Sequence, residues 1–363
     1  MSTGTGALRP SRTRLRLLAL LLFLVAPVCA EYLTAYDPEV TGQPAALIGG
    51  LVIIGPLYGA PAVLIRELAA RTGMHWTGIL AMAGAFGVVQ AGVVDQSLFA
   101  QHYPGYAWWG EVAARTLIPP LGVSGAFALN FLLGHVIWSI SAPVALVEAL
   151  DRRPGRQPWL GRVGLVVLGV LWALASVLVW SDIRGAGSDQ ASAAQIAAAL
   201  ALAATLVAVA FTFGRRRLPA PTEGRVPRPA AVLGLVLVAA AGYQAIPSTW
   251  LGVALGAAIV LVAGLVVTRW SRSASWGPRH AAAVAGAAVV ARALVGFQSV
   301  ASTDPRPSGG YAQNTVLLVM ALALVVAAMR AERPTAVLDP TRYREPHDPE
   351  NQSPSENGGR RST

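Results

Sequence analysis

From Leu15 to Met329 the chain is a succession of ten apolar blocks, each about the 18–22 residues that a helix needs to cross a bilayer. No other feature constrains the fold as tightly. Hydrocarbon offers backbone N–H and C=O groups no water, so each block must close its own hydrogen bonds as a helix. The blocks fall at Leu15–Ala30, Pro44–Ile65, Trp76–Ser97, Gly122–Leu146, Val163–Trp180, Ser192–Phe213, Ala230–Ile246, Trp250–Thr268, His280–Phe297 and Tyr311–Met329. The expected fold is all-α: a polytopic helical membrane protein with about ten transmembrane helices. Residues 1–14 read as a basic tail and 15–329 as the transmembrane domain. Residues 330–363, rich in Pro, Asp, Glu, Asn and Ser, read as a disordered tail.

Charge placement orients the helices. Only 13% of the chain is charged, against about 25% in soluble domains. All 28 basic residues are arginine. With the N-terminus inside, all but Arg115, Arg184, Arg292 and Arg306 fall in alternate, inward segments. Cytoplasmic loops carry the excess of basic residues, so both termini are expected in the cytoplasm, in the plasma membrane. The net charge of +10 therefore reflects topology; the chain has no nucleic-acid-binding motif, and no nucleic-acid partner is expected.

The first block follows Arg9, Arg12, Arg14 and Arg16 and ends at Val28-Cys29-Ala30, which looks like a small-residue cleavage site. An uncleaved first helix is the favoured reading, because many spans follow. In the second block, Pro56 and Pro61 each remove a backbone donor, so a kinked or broken helix is expected. Arg66 and Glu67 read as its end. The connection Gln101–Glu111 is rich in Tyr and Trp, which favour the headgroup region.

Polar groups inside spans are expensive and mark internal pairing or function. Gln90 lies in the outer half of the third block, and Asp95 nearer its surface. Asn130, His135 and Ser139 lie in the fourth, with His135 and Ser139 at i,i+4 spacing. Gly84, Gly87 and Gly92 permit close approach of the two helices. Gln90, Asn130 and His135 are expected to converge. Glu31 is expected at the outer interface with Asp95, too shallow to serve His135. Arg292 is expected to snorkel outward or to pair with Asp95 or Glu31. Glu148 and Arg152 read as an interfacial i,i+4 ion pair, and Asp95 and His102 fall on one face if the helix continues. No metal site, cofactor or catalytic residue is indicated: the one cysteine gives no thiolate cage, and Walker, H-E-x-x-H, G-x-S-x-G and dinucleotide motifs are absent.

The runs E-Y-L-T-A-Y (Glu31–Tyr36), L-I-R-E-L-A-A-R-T-G (Leu64–Gly73), V-V-D-Q-S-L-F (Val93–Phe99) and H-V-I-W-S-I-S-A-P (His135–Pro143) resemble a group of uncharacterised multi-pass membrane proteins of actinobacterial type. That resemblance implies no activity. A weaker one runs to the CAAX-protease and bacteriocin-processing intramembrane proteases. Their F-x-x-x-H motif is matched by Phe131 and His135. Gln90-Ala91 stands where they carry a glutamate pair, and His280 is followed by Val284 where they carry Asn or Asp. Glutamine cannot serve as a general base. The reading is thus a non-enzymatic binding or assembly protein with a polar intramembrane site among helices two to four. Alternatives are a permease and a CAAX-protease-like enzyme with degenerate motifs. Its partners are the lipid bilayer and a small-molecule or lipid ligand.

Overall fold

The computed structural model describes residues 11–331, except Arg152, Pro154 and Leu218. The expected tail beyond 331 and most of the basic N-tail lie outside the described residues. Among those residues, nine helices are long and apolar enough to cross a membrane, and a tenth, Pro229–Gln244, is apolar but shorter. In chain order, spans 1 to 10 are Arg12–Tyr32, Pro44–Thr72, Trp76–Val94, Gly125–Ala149, Arg162–Gly185, Ala193–Thr212, Pro229–Gln244, Trp250–Ser271, Pro278–Ser302 and Gly310–Arg330. A short helix, Trp109–Ala114, and a small hairpin, Leu117–Ile118 with Val123–Ser124, fill the connection between spans 3 and 4.

Local sequence explains the ends. Ser192 caps span 6 in a capping box with Gln195, and Thr249 caps span 8. Gly73 ends span 2 with a φ of +70°, where a Cβ would be strained. Span 3 stops before Asp95, because Gln96 takes a left-handed φ of +56° and its buried amide oxygen accepts from Ala191 N–H at 2.7 Å. The helix therefore does not carry Asp95 on to His102, and the expected shared face does not form.

Spans differ in what they face. Of its 18-residue apolar stretch, span 3 buries 61% and span 9 56%, whereas span 5 buries 6% and span 8 11%. Spans 1 to 4 and 9 form the core, and spans 5 and 8 present leucine and valine outward. In span 1, Leu22 and Ala26 are fully buried.

Hydrogen bonds sort the connections into two ends. Arg14 reaches Leu150 O, Arg156 reaches Met74 O, His75 N reaches Gly214 O and Thr222 N reaches Arg272 O. These join the arginine-rich connections at one end. At the other, His102 N donates to Asp189 at 2.6 Å, Gln195 donates to Leu121 O, and Gly42 N donates to Gln313. The alternation matches the arginine pattern. Reporter fusions after Arg156, Arg217 and Arg272 are expected to read cytoplasmic, and those near Gly105 and Ser308 external. An external reading after Arg217 would overturn the arrangement.

The prolines of span 2 do not break it. Gly55–Gly59 forms a single π-helical turn, and Ala60 N–H bonds back five residues to Gly55 O. A wider turn absorbs the donor that Pro56 lacks without exposing backbone to lipid. Comparable turns lie at Val28–Tyr32, beside Pro27, at Gln90–Val94, and at His135–Ser141, beside Pro143.

Candidate functional site

Each of the four π turns carries a polar or aromatic side chain to the same place. Glu31, Tyr58, Gln90 and the pair His135 and Ser139 sit in the four turns of spans 1 to 4. All of them line one cavity of about 630 Å³, within the range of small-molecule sites. Asp95 and Asn130 line it too. Gln90, Asn130 and His135 all line this cavity, with Asn130 the exposed one of the three. Glu31 and Asp95 line the same cavity as His135. The reason is local: Glu31 precedes the turn's end, and Asp95 folds back under Gln90.

Contacts inside the cavity are specific. Gln90 Nε2 donates to Asp95 Oδ2 at 3.2 Å, and Ser97 N–H donates to Asp95 Oδ1 at 2.9 Å. Burial pushes the Asp95 carboxyl up to about 6, against the hydrogen bonds from Ser97 and Gln90 that lower it. His135 Nδ1 lies 3.1 Å from Ser139 Oγ, and its ring stacks on Tyr58 at 5.8 Å. Gly87 makes this possible: a Cβ there would meet His135 Cβ at 2.9 Å. Gly84 and Gly92 instead turn largely to span 6, at Leu206 and Ala199.

The wall extends past spans 2 to 4. Tyr243 of span 7, Val253 of span 8 and Arg292 of span 9 complete it. Arg292 neither snorkels nor pairs with Asp95 or Glu31. It lies inside the bundle with its guanidinium 4.6 Å from the Trp138 ring, because span 9 packs on span 4 through Trp138 Nε1 donating to Ala288 O at 2.9 Å. The mouth is aromatic. Tyr36 and Tyr106 stand 6.2 Å apart, Trp108 packs on Tyr106 at 5.6 Å, and Tyr36 donates its hydroxyl proton to Glu31.

Residues 20–338 match the model of an uncharacterized membrane protein family. The chain belongs to that family. The family match runs from within span 1 past the end of span 10, so it takes in the whole cavity. No curated protein and no solved structure matches the chain. Nothing in this family match joins the chain to the CAAX proteases, and the geometry keeps the third protease motif away. His280 hydrogen-bonds Pro227 O at the arginine-rich end, on the first turn of span 9. Among the described residues, no three His, Cys, Asp or Glu side chains gather as metal ligands.

A second polar cluster escaped the sequence. Arg66 and Glu67 do not end span 2; the helix runs on to Thr72, and both are buried, at 1% and 0% exposure. Arg66 bridges Glu67 at 2.7 Å and Glu148 at 3.0 Å, and stacks 3.6 Å over Trp159. Glu67 also accepts from Arg71 and from the backbone N–H groups of Trp159 and Leu160. Glu148 is gripped from its other side by Arg156, at 2.6 and 2.8 Å. Arg152, its expected i,i+4 partner, lies outside the described residues. The available signal was the adjacency Arg66-Glu67 with an apolar helix before it and Leu68-Ala69-Ala70 after it.

Proposed function

We propose that this family member is a ligand-binding protein of the plasma membrane, with both termini cytoplasmic, that receives a small polar or lipid-like molecule from the outer side without performing chemistry on it. The observation that carries the reading is the cavity itself. It joins buried polar groups from spans 1 to 4 and 9 to an aromatic mouth at the end opposite the arginine-rich connections. Such groups are costly in a bilayer and are kept where they serve a pathway, a ligand or a partner. Gln90 Oε1 and Gln244 Nε2 are buried in the wall and lack a hydrogen-bond partner among the described residues. Buried polar atoms of this kind favour a polar occupant.

Transport is the second reading, favoured by the Arg66–Glu67–Glu148 cluster. It lies about nine residues, roughly 13 Å, further along spans 2 and 4 than Tyr58 and Ser139. It lies toward the arginine-rich connections, which Arg156 joins to it through Glu148.

The test fills the cavity. Gly134 lines it, and a Cβ there would approach nothing nearer than Trp138 at 4.0 Å. Gly134→Phe should leave the melting temperature in detergent within a few degrees. It should abolish the fluorescence change that saturating small polar headgroup compounds cause at Trp108 and Trp109. Undiminished binding in Gly134→Phe would overturn the reading.

A further inference from the structure

The charges around this cavity are unmatched in a telling way. Among the described residues that line it, Arg292 is the one arginine, and Glu31 and Asp95 are the acids. Neither acid comes within ion-pair distance of Arg292 among the described residues. Among the described residues, Arg292 Nε is buried and has no hydrogen-bond partner. A buried guanidinium with a free donor is a strong anion receptor, because its fork geometry matches a carboxylate or phosphate.

The mouth has the opposite character. Glu31 is held by the Tyr36 hydroxyl. Tyr36, Tyr103, Tyr106 and Trp108 gather beside it with ring centroids 5.6–6.2 Å apart. Aromatic faces with a neighbouring carboxylate take an ammonium group. An anion alone would meet two carboxylates, and a cation alone would meet Arg292. One ligand class satisfies both ends.

The geometry points to a zwitterion as the occupant, its acidic group on Arg292 and its ammonium group at Glu31 and the aromatic mouth. Two sources supply that chemistry: the headgroup of a zwitterionic phospholipid, and a free amino acid or betaine. This assignment rests on the ligand-binding reading of the cavity and adds which groups hold which charge. Arg292 and Glu31 are binding residues in it. Asp95, hydrogen-bonded to Gln90 and Ser97, is a positioning residue.

The experiment uses the full chain in nanodiscs of an anionic lipid and measures binding by calorimetry. Probes are glycerophosphocholine and glycine betaine, with glycerol 3-phosphate as the anion control and choline as the cation control. The expected result is zwitterion binding at least tenfold tighter than either control. Arg292→Gln should lose at least tenfold for the zwitterions and leave choline unchanged or tighter. Glu31→Gln should lose at least tenfold for choline and the zwitterions and spare glycerol 3-phosphate. Arg292→Lys, which keeps the buried charge, should retain part of the zwitterion affinity and guards against a folding defect in Arg292→Gln. Preference for glycerophosphocholine, with co-purified phosphatidylcholine or phosphatidylethanolamine, assigns the headgroup; preference for glycine betaine assigns the free solute. Equal binding of zwitterion and single-charge probes, or unchanged zwitterion affinity in Arg292→Gln, overturns the assignment while leaving a ligand site. No binding of any probe, with Gly134→Phe indistinguishable from the parent, overturns the site itself.

Discussion

Glu67→Ala should destabilise the protein by about 3–5 kcal/mol, the usual cost of removing one member of a buried ion pair. The side chain is fully buried and holds four donors: Arg66, Arg71 and the N–H groups of Trp159 and Leu160. Without it, Arg66 keeps its charge in an interior position with half its partners gone. The backbone donors of the 159–160 turn lose their acceptor as well, each at about 1–3 kcal/mol. The double variant Glu67→Leu with Arg66→Met should recover much of the loss, because two apolar side chains leave no orphaned charge there. Equilibrium unfolding in mixed micelles measures both. A Glu67→Ala protein as stable as the parent would show that the cluster is open to water in the folded state.

Gly59→Ala should be nearly as damaging, for a steric reason. A Cβ at Gly59 would lie 2.1 Å from Phe23 O and 2.8 Å from the carbonyl carbon. Both are backbone atoms of span 1, so no rotamer change can relieve the clash. Overpacking usually costs about 1–3 kcal/mol and more where backbone must move. Spans 1 and 2 would separate where the π turns of both begin to shape the cavity. Gly49→Ala is the matching control, since a Cβ there meets nothing within 4 Å. It should be neutral or gain up to about 1 kcal/mol from helix propensity. Thermal unfolding that shifts equally for the two variants would refute the close approach.

The spans were legible because a bilayer interior forces a length and a composition on each of them, and no tertiary knowledge is needed to see either. Even the short span 7 was placed to within two residues at each end. The sharing of one cavity by Gln90, Asn130 and His135 was legible for a related reason: amides and an imidazole at similar depth have no partner except one another or a cavity. What failed depended on rotation and on distant partners. Arg66 and Glu67 looked like the end of a helix, since a charge pair after an apolar run usually is one. Their burial depends on the 156–160 segment folding back over them, and the one local sign, the apolar run resuming at Leu68-Ala69-Ala70, does not point to that partner. The same holds for Arg292, whose environment is set by Trp138, 154 positions earlier. Proline announced a disturbance in span 2, and local sequence did not distinguish a break from a widened turn.

The π turns have a consequence for how this chain tolerates change in length. A π turn is an α-helix with one residue too many. Removing a single residue from such a turn restores the regular helix and leaves the helix on both sides close to its original phase, while the wide turn itself is lost. The four places in spans 1 to 4 where a codon can be lost with the helix preserved are thus the four that hold Glu31, Tyr58, Gln90 and His135. A deletion scan would find membrane yield surviving best where the cavity survives least. Lineages of this family that have shed the cavity's role should betray it by alignment gaps at these turns, with the membrane spans around them intact.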